Sequence, residues 1–153
     1  MIPLWVRVFI ISMLPISELR GAIPYGIACG MPLYETWFIS IVGNMIPVPI
    51  ILLFLHPAER FLRKWDFWNR LLDKIFEYTR KKTKKSIEKW EAIALIFFVA
   101  IPLPVTGAWT GSLAAYLFGL DFKKSMAFIF IGILIASTIV SIAAITGIKL
   151  LGL

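Results

Sequence analysis

The chain has 153 residues, a net charge of +7, a hydrophobic fraction of 59% and a mean hydropathy of +0.85. Soluble domains are about 45–50% apolar, so the composition excludes an ordinary soluble domain and predicts an all-α integral membrane protein of one domain, residues 1–153. One His, one Cys and scattered acids provide no metal-ligand spacing, and no nucleotide-binding pattern occurs. We therefore expect no metal site, no cofactor and no enzymatic activity.

The first elements are two short apolar runs around a polar turn. Residues 2–16 and 21–33 are both too short to cross a bilayer, because a spanning helix needs about 20 residues. Ser17-Glu18-Leu19-Arg20 separates them. Two short arms around a polar turn predict a re-entrant hairpin that enters and leaves on one side. The residues expected to shape this hairpin are Pro15, Gly21 and Pro24.

Residues 36–56 form the first segment of spanning length. Pro47 and Pro49 should kink it, because proline removes a backbone donor and clashes with the preceding turn. Asn44 places a polar side chain just before the kink. His56 ends the segment, where a boundary or packing role is expected rather than catalysis.

Residues 58–91 hold 11 of the 16 basic residues and 6 of the 9 acidic ones. Apolar side chains recur there at helical spacing, which predicts a basic amphipathic helix lying in the membrane interface. Its charge would bind anionic lipid headgroups or act only as a solvated topology signal, and we favour the second reading. Nucleic-acid binding is not expected, because the basic face belongs to a membrane anchor.

The second half repeats the order of the first. Residues 92–105 and 108–120 form two short apolar arms around Thr106-Gly107, and residues 125–148 form the second segment of spanning length. The residues expected to shape this second hairpin are Pro102, Pro104, Gly107 and Gly111.

An offset of 89 residues aligns the two halves. It places Pro15 on Pro104, Gly30 on Gly119 and Gly43 on Gly132. Each half then has one hairpin and one span, hence an odd number of crossings, so the halves insert in opposite orientations. The sequence thus predicts an inverted repeat, with repeat 1 at 2–56 and repeat 2 at 92–148, whose hairpin tips meet near the midplane.

Glu18 and Arg20 are the principal candidate site residues. A charge at the bilayer centre costs at least about 2.5–3.5 kcal/mol, so each must be paired or hydrated. Glu18 suggests a proton or cation carrier, and Arg20 an anion clamp, because its fork matches phosphate and carboxylate. The alternative is that they pair only to staple the turn. The further residues expected to bind substrate are Thr106, Trp109 and Thr110 in the opposing tip, and Asn44.

The segments SELRGAIPYGI and PLPVTGAWTGSLAA resemble the small multidrug export protein family, which is similar to the DedA superfamily of lipid flippases and scramblases. The resemblance implies a DedA-like fold in which two re-entrant hairpins face each other across a site. DedA-like proteins carry acids near the first hairpin and arginines near the second. Here Glu18 matches the acidic role, whereas the second tip has no arginine.

These observations predict a transporter or flippase-like protein that translocates a lipid or an amphiphilic small molecule, with proton coupling. Two alternatives stay open: a small multidrug exporter that exchanges protons for a cationic drug, and a non-transporting scaffold that binds lipid. The expected partners are membrane lipids, including anionic ones, and a second copy of the chain. The expected location is a prokaryotic plasma membrane, crossed more than once.

Positive-inside asymmetry places residues 58–91 in the cytoplasm and both termini outside. In a Cys29→Ala background, we expect cysteines at positions 3 and 33 to react with an impermeant reagent from outside, and one at position 82 from the cytoplasm. External labelling at position 82 would reverse the orientation. Labelling of positions 3 and 33 from opposite sides would rule out the first hairpin.

Overall fold

The computed structural model describes residues 2–62, 85–103 and 106–150, and no strand occurs within these ranges. The chain there forms seven helices: α1 (Leu4–Met13), α2 (Glu18–Ala28), α3 (Leu33–Met45), α4 (Pro47–Leu62), α5 (Lys85–Ala100), α6 (Ala108–Leu117) and α7 (Phe122–Leu150).

The first pair of short arms forms α1 and α2, but the turn between them lies earlier than expected. The polar turn was placed at residues 17–20, whereas α2 begins at Glu18 and the connection is residues 14–17. The Ser17 hydroxyl donates to the Ile11 carbonyl at 2.8 Å, and the Glu18 amide donates to the Leu14 carbonyl at 2.9 Å. These two bonds close the turn before Glu18, which therefore stands in the first turn of α2.

The first spanning segment consists of α3 and α4, whose helical bonding is interrupted at Ile46. Pro47 begins α4, in agreement with the expected break at the prolines. Together they supply a candidate span at Leu33–Leu55. The helix was expected to end at His56 but continues to Leu62 with Pro57 inside it. Most of the predicted amphipathic segment, residues 63–84, lies outside the described residues.

The second half begins earlier than the sequence indicated. Its first arm, expected at 92–105, is α5, which starts at Lys85 and ends at Ala100. The arm expected at 108–120 is α6, and the second spanning segment is α7, with a candidate span at Phe122–Gly147. The two candidate spans are long and apolar enough to cross a membrane.

Helix packing divides the described chain into two units of similar build. Unit 1 packs α1 and α2 against α3, and unit 2 packs α5 and α6 against α7. With α4 counted in unit 1 as the continuation of α3, contacts between the units run from α2 and α3 to α7 and from α4 to α6. The buried core is shared, because Leu19 and Ile23 of unit 1 belong to one apolar cluster with Ile129 and Ile133 of unit 2.

The outer surface of the bundle is rich in exposed apolar side chains. Phe38, Leu53 and Ile142 are each more than 60% exposed, and many other large apolar side chains are at least a third exposed. Exposed apolar patches of this extent mark a surface that contacts something apolar. Acyl chains of a bilayer would cover these side chains.

The close approach of α5 to α7 requires Gly132. A Cβ added there would lie 2.6 Å from Val99 Cβ and 3.1 Å from the Ile96 carbonyl oxygen, whereas a Cβ at Gly147 would meet nothing within 4 Å. Small residues permit such close helix contacts in membrane bundles. The two glycines lie on the same helix, so they form a matched pair.

We expect Gly132→Ala to destabilise the protein by about 1–3 kcal/mol through overpacking, and Gly147→Ala to be neutral or slightly stabilising through helix propensity. Thermal unfolding of the purified protein in detergent measures both. Equal melting temperatures for the two variants would contradict the packing of α5 on α7.

Candidate functional site

Glu18 is buried at the start of α2 and faces the beginning of α6. Its side chain is 5% exposed, and Oε1 accepts a hydrogen bond from the Trp109 backbone amide at 3.3 Å. The first amides of a helix lack intrahelical acceptors and carry partial positive charge, so a carboxylate is stabilised there. Glu18 thus acts across the interface between the units as a cap on α6.

Gly107 makes room for this carboxylate. A Cβ added at Gly107 would overlap the Glu18 side chain, at 2.6 Å from Cδ and 2.7 Å from Oε1. Gly107 also has φ +146°, a backbone conformation that favours glycine. Glu18 itself has φ +46°, in the left-handed region that side chains rarely adopt. Both sides of the contact therefore depend on uncommon backbone geometry.

Arg20 binds the same segment of unit 2 through its carbonyls. Nη1 donates to the Leu103 carbonyl, and Nη2 donates to the Thr106 carbonyl and, at 3.2 Å, to Thr106 Oγ1. Arg20 Nη2 also lies 3.9 Å from Glu18 Oε2. We call Glu18, Arg20, Leu103, Thr106 and Trp109 the tip junction.

The Thr106 side chain holds the connection between α5 and α6 in shape. Its hydroxyl donates to the Ile101 carbonyl at 2.6 Å and accepts from the Leu103 amide at 3.2 Å. These bonds aim the carbonyls of Leu103 and Thr106 toward Arg20. A threonine in this turn therefore positions the acceptors that Arg20 needs.

Trp109 adds a bond in the reverse direction, from unit 2 to unit 1. Its indole Nε1–H donates to the Met13 carbonyl at 3.1 Å. Met13 is the last residue of α1, where carbonyls lack intrahelical donors. The indole thus satisfies the end of α1, while the Trp109 amide binds Glu18.

The tip junction contains four of the six predicted substrate or proton-binding residues: Glu18, Arg20, Thr106 and Trp109. Thr110 follows in α6, and its buried Oγ1 has no hydrogen-bond partner among the described residues. Asn44 lies in α3, is 1% exposed, and has no described partner for either side-chain amide atom. The structure therefore separates the predicted set into one bonded cluster and two isolated polar groups.

The predicted hairpin-forming residues occupy several kinds of position. Pro15 lies between α1 and α2, and Pro102 and Gly107 lie between α5 and α6. By contrast, Gly21 and Pro24 lie inside α2, and Gly111 lies inside α6. A Cβ at Gly111 would lie 2.5 Å from Val99 Cγ2, so this glycine serves helix packing. Pro104 lies outside the described residues.

Sequence reasoning missed two participants in the junction, the carbonyls of Met13 and Leu103, which accept hydrogen bonds from Trp109 and Arg20. Gly107 was expected to shape the second hairpin, but the space that it leaves for the Glu18 carboxylate was not foreseen. Backbone carbonyls leave no residue-type signal. The prolines around Leu103 did indicate irregular backbone with free acceptors there.

Glu18 and Arg20 carry opposite charges that offset each other, and both side chains already have partners in the junction. The junction is therefore not an open site for an anion or a cation. The expected anion clamp, Arg20, directs its fork at backbone carbonyls, so an anionic ligand would have to compete with them. A cation at Glu18 would compete with Arg20 and the α6 amides. No group of three or more His, Cys, Asp or Glu residues in the described ranges could hold a metal ion.

Comparison with known proteins gives one match. A family model described as "Putative small multi-drug export protein" matches residues 18–139, which include every residue of the tip junction. No curated protein and no solved structure matches the chain.

We expect Gly107→Ala to cost more stability than Gly119→Ala. At Gly119, with φ +70°, an alanine costs about 1–2 kcal/mol, whereas Gly107, with φ +146° and ψ −164°, has a backbone conformation that essentially only glycine adopts, and its added Cβ would also overlap the Glu18 carboxylate. Unfolding in mixed detergent micelles compares the two variants. If they lose the same stability, the Glu18 carboxylate does not occupy the space at Gly107.

Proposed function

The chain belongs to the small multi-drug export protein family, and we propose that it is a membrane transporter that translocates a lipid or another amphiphilic small molecule. The observation that carries this proposal is the tip junction. A buried Glu18 and a half-buried Arg20 form a polar contact between two helical units that share a buried apolar core. Ionisable residues inside a membrane mark a functional site by default.

The packing supports an inverted repeat as the architecture. Gly43 abuts Ser12 and Phe9 of α1, and Gly132 abuts Val99 and the Ile96 carbonyl of α5. These glycines align at the offset of 89 residues, and each allows the first arm of its unit to approach the spanning helix. The contacts of α2 with α7 and of α6 with α4 are the exchanged contacts that a pseudo-two-fold axis generates.

In this proposal α1–α2 and α5–α6 are DedA-like re-entrant hairpins that enter from opposite faces. Each unit then contributes one full crossing, and the tip junction lies near the midplane, where such folds bind substrate. Residues 58–91 are cytoplasmic and both termini external. We place the protein as a multi-pass protein of a prokaryotic plasma membrane, with anionic lipids as neighbours and a homodimer as its assembly.

Glu18 is proposed as the group that couples protons to movement of the units. When ionised, it binds the Trp109 amide and attracts Arg20. When protonated, it loses the negative charge that stabilises both contacts, because a helix N-terminus favours an anion. Protonation would therefore loosen unit 2 from unit 1, and the positive φ of Glu18 stores strain that favours release.

An anionic amphiphile and a cationic drug would bind different residues of the Glu18–Arg20 pair. An anionic headgroup would take the Arg20 fork from the carbonyls of Leu103 and Thr106, whereas a cationic drug would take the Glu18 carboxylate from Arg20. The family name favours drug export, and the number of donors on Arg20 favours an anionic amphiphile. A non-transporting lipid-binding scaffold would move neither.

We expect Glu18→Gln to abolish transport driven by a pH gradient while the protein still inserts and folds, because the amide keeps the shape but cannot exchange a proton. Glu35→Gln is the matched control, since Glu35 bonds the exposed Tyr34 hydroxyl away from the junction. Proteoliposomes loaded with a cationic dye or a labelled anionic lipid measure transport. Movement of neither by the wild type would favour the scaffold.

The variant Arg20→Ala should lose about 3 kcal/mol of stability, because it leaves Glu18 buried without its partner. The double variant Glu18→Gln/Arg20→Ala should recover much of that stability yet remain inactive. A purely structural pair predicts recovery of stability and transport together. Full transport by the double variant would therefore overturn the site assignment.

A further inference from the structure

A second polar site lies on α3, apart from the tip junction. Asn44 is 1% exposed and Ser40 is fully buried, yet neither the Asn44 amide atoms nor Ser40 Oγ has a hydrogen-bond partner among the described residues. A buried polar group without a partner costs about 1–3 kcal/mol, so native structures rarely keep one without a role. Here two stand one helical turn apart.

The Gly43 carbonyl oxygen, on the same face of the helix, lacks its usual helical hydrogen-bond donor. Pro47, which is buried, has no N–H to donate to the Gly43 carbonyl four residues earlier. Spacings of three and four place Ser40, Gly43, Asn44 and Pro47 on one face of the helix. The face therefore offers a hydroxyl, an amide oxygen and a carbonyl oxygen.

The first arm supplies a fourth oxygen against this face. Ser12 Oγ lies so close to Gly43 that an added Cβ would overlap it. Ser12 is fully buried and its hydroxyl donates to the Phe9 carbonyl at 2.7 Å, which leaves the oxygen free to act as an acceptor. The group of Ser12, Ser40, Gly43 and Asn44 is called the oxygen cluster below.

The first arm and α3 run side by side past the oxygen cluster. A Cβ at Gly26 would meet Val8 of α1 and Thr36 of α3, whereas one at Gly43 would meet Phe9 and Ser12. Both helices thus run in the same direction past the cluster. Interrupted helices at membrane depth use backbone carbonyls freed from helical hydrogen bonding to hold Na⁺, and the Gly43 carbonyl is of this kind.

We propose that the oxygen cluster binds a Na⁺ ion. Its ligands are neutral oxygens, which a hard cation prefers. None is a carboxylate that would offset the second positive charge of a divalent ion, so a monovalent ion fits better. This site is separate from the tip junction, and its existence does not rest on the proposed transport. A bound ion would fix α1 against α3 at the break before α4. If the protein is the proposed transporter, Na⁺ would be a second coupling ion beside the proton at Glu18.

The test is ²²Na⁺ binding to the purified protein in detergent, with melting curves in NaCl, KCl and choline chloride of equal ionic strength. The wild type should bind Na⁺ saturably. Its melting temperature should rise by roughly 5 °C when Na⁺ is near 100 times Kd, and K⁺ and choline should not reproduce this shift.

Asn44→Leu and Ser40→Ala should lose the Na⁺ binding and the Na⁺-dependent shift. Each should melt no lower than the wild type in choline, because replacing an unsatisfied polar group by an apolar one removes a cost. Ser137→Ala is the matched control, since the buried Ser137 already donates to the Leu134 carbonyl at 2.8 Å. This control should keep wild-type Na⁺ binding.

A folded wild type that binds no Na⁺ would overturn the proposal, as would Asn44→Leu binding Na⁺ as the wild type does. The first result would leave buried water as the occupant of the cluster. Binding in a protein that transports nothing would support this site while the proposed function fails. Transport without Na⁺ binding would support the proposed function and overturn the Na⁺ site.

Discussion

The structure depends on two charged side chains of unit 1, Glu18 and Arg20, that bind backbone groups of unit 2. Glu18 and Arg20 lie two residues apart at the start of α2, and they bind opposite kinds of backbone group in the same segment of unit 2. The carboxylate binds an amide at the start of α6, and the guanidinium binds the carbonyls just before it. Each charge thereby satisfies a backbone group that the broken helix leaves open.

The rest of the fold brings these groups to one place. Tight contacts at Gly43 and Gly132 bring each short first arm against its spanning helix, and the shared apolar core holds the units together around the junction. The Trp109 indole closes the end of α1 from the other side. A transporter needs an inter-unit contact strong enough to hold one state and weak enough to release it. In the proposed function, a charge pair whose strength changes with protonation would meet both needs.

The sequence predicted the elements well because length and hydropathy determine them: the short arms, the two spanning segments and the break at Pro47 all occur. Charge in an apolar run also drew attention to Glu18 and Arg20, which both contact unit 2, while their role in binding stays a prediction. The position of the first turn was wrong, because the bonds of Ser17 and Glu18 to preceding carbonyls move it to residues 14–17. Two acceptors of Arg20 are backbone carbonyls that lie 83 and 86 residues away along the chain, and residue type carries no signal for them, whereas Thr106, whose hydroxyl also accepts from Arg20, was a predicted site residue. Ser12 and Ser40 looked like ordinary small residues until their burial was known.

A double-mutant cycle on the intact chain measures the central contact most directly. Arg20→Met, Thr106→Val and the combined variant are unfolded reversibly in mixed detergent micelles. Arg7→Met with Thr106→Val serves as the control pair, since Arg7 bonds the Tyr25 hydroxyl instead. The account predicts a coupling of about 1–3 kcal/mol between Arg20 and Thr106, and additivity in the control pair. Additivity of Arg20→Met and Thr106→Val within about 0.5 kcal/mol would contradict it.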